Sequence, residues 1–362
     1  MIMKKFLCIL LFGALLISAI ACGGSEPEPA ASEAPETIEA SEVPDVVAVE
    51  TPDAIPSAEA TLPPTEPVES GEPQSTRAPK EGDITQNFPN YDTGADADYS
   101  YQSDEVRIAI KVIEDAENKQ VIYVADLWIR NIHSFRTAFG NGEFGSGTED
   151  PVKLVQRENA LFAVNGSYNQ GLTVHAGEQF KGVRANKGWN SQATCVIYKD
   201  GSMKTFQLEK ESFDIKAELK NGAWHAWQFG PILIRDYEIS PYAYQYRIGN
   251  KARNILGYYE PGHYVIVTCD AGTKKAEGMT EVQMAEFMKS LNVKEAFNLD
   301  GGTSAVMVFM GEIINNPRPH VNEQGSLEEG RNLKDMLLFG EYDENGVSAD
   351  LSTFTADKFN GK

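Results

Sequence analysis

Eleven of the 18 prolines lie between Pro27 and Pro79, and residues 25–76 carry thirteen Asp or Glu side chains with no Lys or Arg. A stretch of Glu, Pro, Ala, Ser and Thr with almost no aromatics cannot bury enough apolar surface to offset its ordering entropy. It is therefore excluded from any core, and a fold has to be built from the residues C-terminal to it. Fixed-φ prolines and like-charge repulsion predict an extended spacer over residues 22–83. A docking tail for a cationic partner is the alternative reading of the same charge run. The formal net charge of −21 on 362 residues rules against a nucleic-acid partner, although much of the acid excess belongs to this one segment.

Ahead of the spacer, Lys4 and Lys5 precede an apolar run over residues 6–21. The run is shorter than the ~20 residues of a spanning helix and reads as a signal peptide over residues 1–21, so export from the cytoplasm is expected. It ends in Ala19-Ile20-Ala21-Cys22-Gly23, which resembles the lipobox of bacterial lipoproteins. That resemblance implies a lipid on Cys22 and attachment to the cell membrane, facing outside the cytoplasm. Ordinary signal cleavage beside an incidental cysteine is the alternative.

Residues 84–362 change character. Period-two alternation over 106–112 and 121–129 predicts strands, with further strands at 160–164, 193–198, 230–234, 264–269, 295–297, 304–310 and 333–339. Asp150-Pro151 opens a short helix over 149–159, and Thr280-Glu281-Val282-Gln283 spells a capping box for a helix running to Leu291. Strand, helix and strand over 264–297 predict a βαβ unit, and with it an α+β or α/β fold with a mixed β-sheet. Asp270, Asn298-Leu299-Asp300 and Asn165-Gly166 each come directly after a predicted strand, at the carboxyl ends where open sheets bind ligands. Three ordinary solvent-exposed turns would give the same spacing.

The two glycines of Asp300-Gly301-Gly302-Thr303-Ser304 let backbone approach a ligand and leave N–H groups free for anionic oxygen. This segment resembles the phosphodiester glycosidase family related to N-acetylglucosamine-1-phosphodiester α-N-acetylglucosaminidase, the uncovering enzyme. The matching pieces also include Ala163-Val164-Asn165-Gly166-Ser167-Tyr168, Ala252-Arg253-Asn254-Ile255, Val267-Thr268-Cys269-Asp270, and Gly330-Arg331 with Asp335-Met336-Leu337-Leu338. The resemblance covers roughly residues 154–339. It implies a hydrolase acting on a phosphorylated glycan.

Such a reaction has definite needs. A sugar phosphodiester releases a weakly basic phosphate oxygen, so the leaving group needs its charge held more than it needs a proton. The planar fork of Arg253 is the first candidate to hold it, with Arg184 and Arg331 behind it. Asp300 and Asp270 are the candidate pair at the anomeric carbon, as nucleophile, base or electrostatic stabiliser in an unassigned order. Asn165, Gly166, Gly301, Gly302 and Ser304 complete the expected binding set. Each arginine has an ordinary structural ion-pair role as its alternative.

The five histidines show no metal-ligand spacing, so neither a metal nor another cofactor is expected. His175 and Trp189 lie in the loop after Asn165-Gly166, as further candidates to contact a sugar. Gly140-Asn141-Gly142-Glu143-Phe144-Gly145 fits a dinucleotide fingerprint by letter alone, with no clean strand predicted just before it and no helix opening just after it. Cys195 and Cys269 sit in apolar strands as either a disulfide or two buried thiols. The residues leave two functions open: an extracytoplasmic glycosidase cleaving a sugar-1-phosphodiester in a surface polysaccharide, teichoic-acid-like polymer or glycolipid, and a non-catalytic exopolysaccharide-binding or assembly module using the same crevice.

Overall fold

The computed structural model describes residues 78–185, 192–245, 249–317, 320–321, 327–328 and 331–342. The signal peptide, Cys22, nearly all of the spacer and Trp189 lie outside the described residues. Residues 80–84 are tied to the domain: Ile84 N–H donates to Arg130 O, Ile132 N–H donates to Gly82 O, and Lys80 pairs with Glu105 at 3.2 Å.

Among the described residues the strands form three large sheets and a two-stranded ribbon, and every pairing is antiparallel. The first sheet has eight strands in the order Tyr99–Gln102, Val106–Asp115, Gln120–Ile129, His263–Cys269, Arg253–Glu260, Glu295–Asn298, Ile232–Arg235 and Glu238–Ile239. A second, of five, orders Glu178–Lys181, Thr173–His175, Ala223–Phe229, Ala193–Tyr198 and Met203–Gln207. The third orders Glu312–Ile313, Met307–Phe309, Phe162–Asn165, Asp335–Phe339 and Phe135–Phe139.

The α+β or α/β expectation, with its mixed sheet and βαβ unit, is overturned by this antiparallel, β-rich architecture. The strand–helix–strand run is present, but Arg253–Glu260 inserts between its two strands and pairs antiparallel with both, placing Arg253 opposite Cys269 and Ile255 opposite Asn298. The cause is local. Pro261-Gly262, with Gly262 at φ +85°, closes a tight hairpin between Arg253–Glu260 and His263–Cys269. A hairpin partner a few residues away takes the edge that a crossover strand would need.

One apolar core joins all three sheets. Side chains at alternate positions, such as Val106, Ile108 and Ile110, point inward to meet Phe135, Phe162, Trp227, Tyr264, Phe297 and Phe339. The outer face of each sheet is then covered by one helix. Glu281–Ser290 lays Met284, Ala285 and Met288 on Ile255, Val265 and Val267. Pro151–Glu158 lays Leu154 and Val155 on the third sheet, and Ile215–Lys220 covers the second through Ile215 and Leu219. Cys195 belongs to the central core and Cys269 to the helix-covered face, so the two are free buried thiols.

The helix ends obey their sequence signals. Asp150 caps Lys153 N–H ahead of Pro151, and Asn159 ends that helix in the left-handed region at φ 52°. At the longer helix, Thr280 Oγ1 accepts from Gln283 N–H at 3.2 Å while Gln283 Oε1 accepts from Thr280 N–H at 2.9 Å. Thr280→Ala removes one orphan-donor partner and is expected to cost about 1 kcal/mol, read as a lower urea midpoint at unchanged m-value. An unchanged midpoint would show that the cap contributes nothing to this helix.

Candidate active site

The site forms where the first and third sheets meet. Gly166, just past the strand Phe162–Asn165, links two acids through its backbone: its carbonyl accepts from Asp300 N–H at 3.1 Å and its N–H donates to Asp335 O at 3.0 Å. A Cβ on Gly166 would collide with the Asp335 carboxylate, so glycine is needed for the close approach. Gly301 is similarly confined, because a Cβ there would come 2.6 Å from Ala252 O. Gly302 has open space around it and sits at φ +63°.

Asn165 is fully used inside the protein. Its Nδ2 donates to Asp300 O at 2.7 Å, and its Oδ1 accepts from Val306 N–H at 3.2 Å and from Asn254 Nδ2. Asn254 Oδ1 in turn accepts from the Thr268 hydroxyl. This buried chain of amides holds the Asp300 loop and leaves Asn165 as a positioning residue.

Asp300 is partly exposed, and its Oδ1 accepts from Gly301 N–H at 3.0 Å. Burial raises its pKa, opposed by the Ser304 hydroxyl, the Gly301 N–H and the Arg331 charge. Asp335 is buried, its Oδ2 accepting from Ser167 N–H at 2.9 Å while Oδ1 has no partner among the described residues. Desolvation, reinforced by the nearby Asp300 charge, pushes Asp335 up to about 7.

Asp270 stands apart from this pair. Its strand is separated from that of Asp300 by Arg253–Glu260, two ladder spacings or roughly 10 Å between backbones. Its carboxylate accepts from Asn315 Nδ2 at 3.0 Å and Asn316 N–H at 3.1 Å, and the Tyr123 phenol also bonds it. Burial raises it to about 6. In this arrangement Asp270 fastens residues 315–316 to the sheet.

Arg253 is likewise committed inward. Its guanidinium pairs with Glu281 at 3.0 Å and donates to Met279 O at 2.8 Å and to Gly249 O at 3.3 Å, with only 4% of the side chain exposed. A buried arginine neutralised by a carboxylate is part of the fold, so the expected phosphate fork is not presented here. The cations that do surround the site are on the surface. Arg331 and Lys334 lie over the Tyr168 ring at 4.3 and 4.5 Å. Lys334 and Tyr168 share a groove with Lys181 and Arg184, whose Nη1 donates to Gln170 at 2.9 Å. Tyr168 and Asn169 both have positive φ, 59° and 52°. Consecutive left-handed residues, one with a bulky ring, are strained backbone of the kind that clusters at binding sites.

The structure therefore brings Asp300, Gly166, Gly301, Ser304 and Arg331 together, sets Arg184 at the rim, and places Asp270 and Arg253 in separate buried networks. Sequence reasoning missed Asp335, Tyr168, Lys181 and Lys334 as site residues. Asp335 and Tyr168 stood inside matching segments, and the signal for Asp335 was an acid opening an otherwise apolar strand.

Residues 153–339 match the phosphodiester glycosidase (NAGPA) family profile. A SPbeta prophage-derived uncharacterized protein, YomE, of Bacillus subtilis is 28% identical over 185 residues, covering 48% of this chain and 28% of that protein. Human N-acetylglucosamine-1-phosphodiester α-N-acetylglucosaminidase is 27% identical over 151 residues, covering 38% of this chain and 29% of that one. The chain thus spans under a third of the length of these curated relatives. The zebrafish enzyme's catalytic domain, solved in a form auto-inhibited by its pro-peptide, shares the fold with a TM-score of 0.53 at 21% identity, over 68% of this chain and 86% of that one. With the family profile matched over more than half of its length, the chain belongs to the phosphodiester glycosidase family.

Proposed function

We propose that this protein hydrolyses a sugar-1-phosphodiester, with Asp300 acting at the anomeric carbon and the Tyr168 groove holding the phosphate. The observation that carries this reading is the adjacency of a carboxyl pair to a cluster of cations. Asp300 and Asp335 share one site, where two like charges cannot both ionise cheaply, so Asp335 keeps its proton near neutrality and Asp300 carries the charge. That charge faces developing oxocarbenium character. Arg331, Lys334, Arg184 and Lys181 offer the departing phosphate the charge neutralisation that a weakly basic leaving group requires. The N-acetylglucosamine-1-phosphodiester bond named for the vertebrate relatives is the first substrate class to try. A surface polysaccharide, teichoic-acid-like polymer or glycolipid is the natural polymer context, and a lipid on Cys22 would hold the domain near it. Release of free sugar from a UDP-sugar or a methylphospho-sugar tests the reaction. Glycan binding without release would favour a non-catalytic assembly module.

Asp300→Asn keeps shape but removes the charge, so turnover is expected to fall on the order of a hundredfold or more with binding little changed. The paired Arg331→Ala and Lys334→Ala variants are expected to raise KM for the phosphodiester about tenfold while sparing an uncharged aryl glycoside. Near-normal turnover in folded Asp300→Asn, or equal losses on both substrates in the arginine and lysine variants, would remove these residues from their roles.

The Asp335 carboxyl also makes stability depend on pH. Its folded pKa of about 7 stands above the ordinary 3.8, so between those values the folded state binds more protons than the unfolded chain. Its contribution is complete below about pH 4 and is lost as pH rises through 7. Asp335→Asn should therefore flatten the decline in unfolding free energy, read from urea titrations, from pH 5 to 8, by on the order of 1–3 kcal/mol at the upper end. Asp270, at about 6, leaves a residual slope of the same sign. An identical decline in variant and parent would refute the assignment. Finally, Cys22→Ser is expected to move the protein from the membrane to the soluble fraction of a fractionated cell, and full membrane retention would exclude the lipid anchor.

A further inference from the structure

A cavity of about 320 Å³ opens along the free edge of Phe135–Phe139, the outermost strand of the third sheet. Gly340 N–H to Ser134 O and Gly140 N–H to Lys334 O bracket this strand's ladder, with Arg136 opposite Leu338 between them. In an antiparallel ladder bonded residues alternate with residues whose backbone groups point away. Phe135, Thr137 and Phe139 accordingly turn theirs to the open edge. Two of the three are already engaged. Phe135 O accepts from His225 Nε2 at 2.9 Å, and Phe139 O accepts from Arg157 Nη2 at 2.9 Å. Between them Thr137, which lines the cavity, presents one N–H and one C=O to it.

The walls are aromatic and polar without favouring an anion. Trp224 and Tyr342 contribute rings, and Arg136, whose guanidinium donates to the Glu158 and Asn159 carbonyls, lines the cavity together with two acids, Glu158 and Glu341. His175 and His225 are held neutral by burial, at about 2 and about 4. Three buried side-chain atoms on these walls, Arg136 Nε, Thr137 Oγ1 and His175 Nε2, have no partner among the described residues. Buried polar atoms are seldom left so, and a cluster of them marks a place for outside hydrogen-bonding groups.

We propose that this cavity is a second saccharide site, taking one N-acylated amino sugar whose amide pairs with the Thr137 backbone as a neighbouring strand would. A single free rung accommodates one amide. An extended peptide needs several consecutive rungs, and His225 and Arg157 block the next ones on either side. The ring hydroxyls meet Glu341, Glu158 and His175, and the apolar ring face meets Trp224 or Tyr342. The site lies two to four residues, roughly 7–14 Å, along the same ladder from Asp335, so it is separate from the acid pair and does not depend on the catalytic reading.

The test monitors the indole N–H resonance of Trp224, assigned by its loss in Trp224→Phe, as the full chain is titrated with N-acetylglucosamine. A saturating shift is expected, with glucose at least about tenfold weaker. Thr137→Pro deletes the outward N–H together with the Thr137 hydroxyl and should weaken N-acetylglucosamine at least about tenfold, as the loss of a buried hydrogen bond does, whereas Thr137→Val, which keeps the N–H and loses only the hydroxyl, should weaken it less. Should that variant not fold, Tyr342→Ala, at the cavity mouth, should weaken binding similarly. The proposal is overturned by any of three results: no shift up to tens of millimolar, equal affinity for glucose, or tighter binding of N-acetylglycine N-methylamide, which would make the edge a peptide site.

Discussion

The Gly166 peptide, bonded to Asp300 on one side and Asp335 on the other, is the joint on which the site depends. It works because no side chain stands between the two loops, and because Asn165 beside it is locked to Asn254 and Thr268 in the first sheet. Two sheets that share only an apolar core could slide against each other at small cost, since dispersion contacts are not directional. The amide chain removes that freedom, because each buried donor left unpaired would cost about 1–3 kcal/mol. The carboxyl pair is thus held by a polar seam between sheets.

That seam explains how an unfavourable pair of acids persists. Asp335 is buried with one oxygen unpartnered among the described residues, a cost met by the three-sheet core around it. The strained backbone at Tyr168 and Asn169 lies directly beyond Ser167, whose N–H bonds Asp335. Strain, desolvation and like charge accumulate within a few residues, a combination that clusters at functional sites in proteins generally. Of the cations nearby, Lys181 and Arg184 are exposed and Arg331 and Lys334 are half-buried over Tyr168, and none of the four forms an ion pair among the described residues. Arg253 shows the opposite case, its charge absorbed by Glu281.

Much of the secondary structure was legible. The capping box at Thr280, the Asp150-Pro151 start and the strands at 193–198 and 264–269 all appear, because each rests on contacts within a few residues. Misreading began where pairing partners had to be chosen. The strand–helix–strand pattern says nothing about a third strand arriving from the preceding hairpin, so a parallel unit was expected where an antiparallel sheet formed.

By itself the sequence determined where the helices start, that Asn165-Gly166 closes one strand and that Asp300-Gly301-Gly302 follows another. Composition, caps and turns are local, and their physics is complete within a short window. Only the tertiary structure decided that Asp335 rather than Asp270 joins Asp300, and that Arg253 faces inward while Arg331 and Lys334 lie over the Tyr168 ring. Those outcomes depend on which strand lies between two others and on which charge a partner has already neutralised. Both are set by contacts between residues tens to hundreds of positions apart, to which the spacing of letters along the chain is blind.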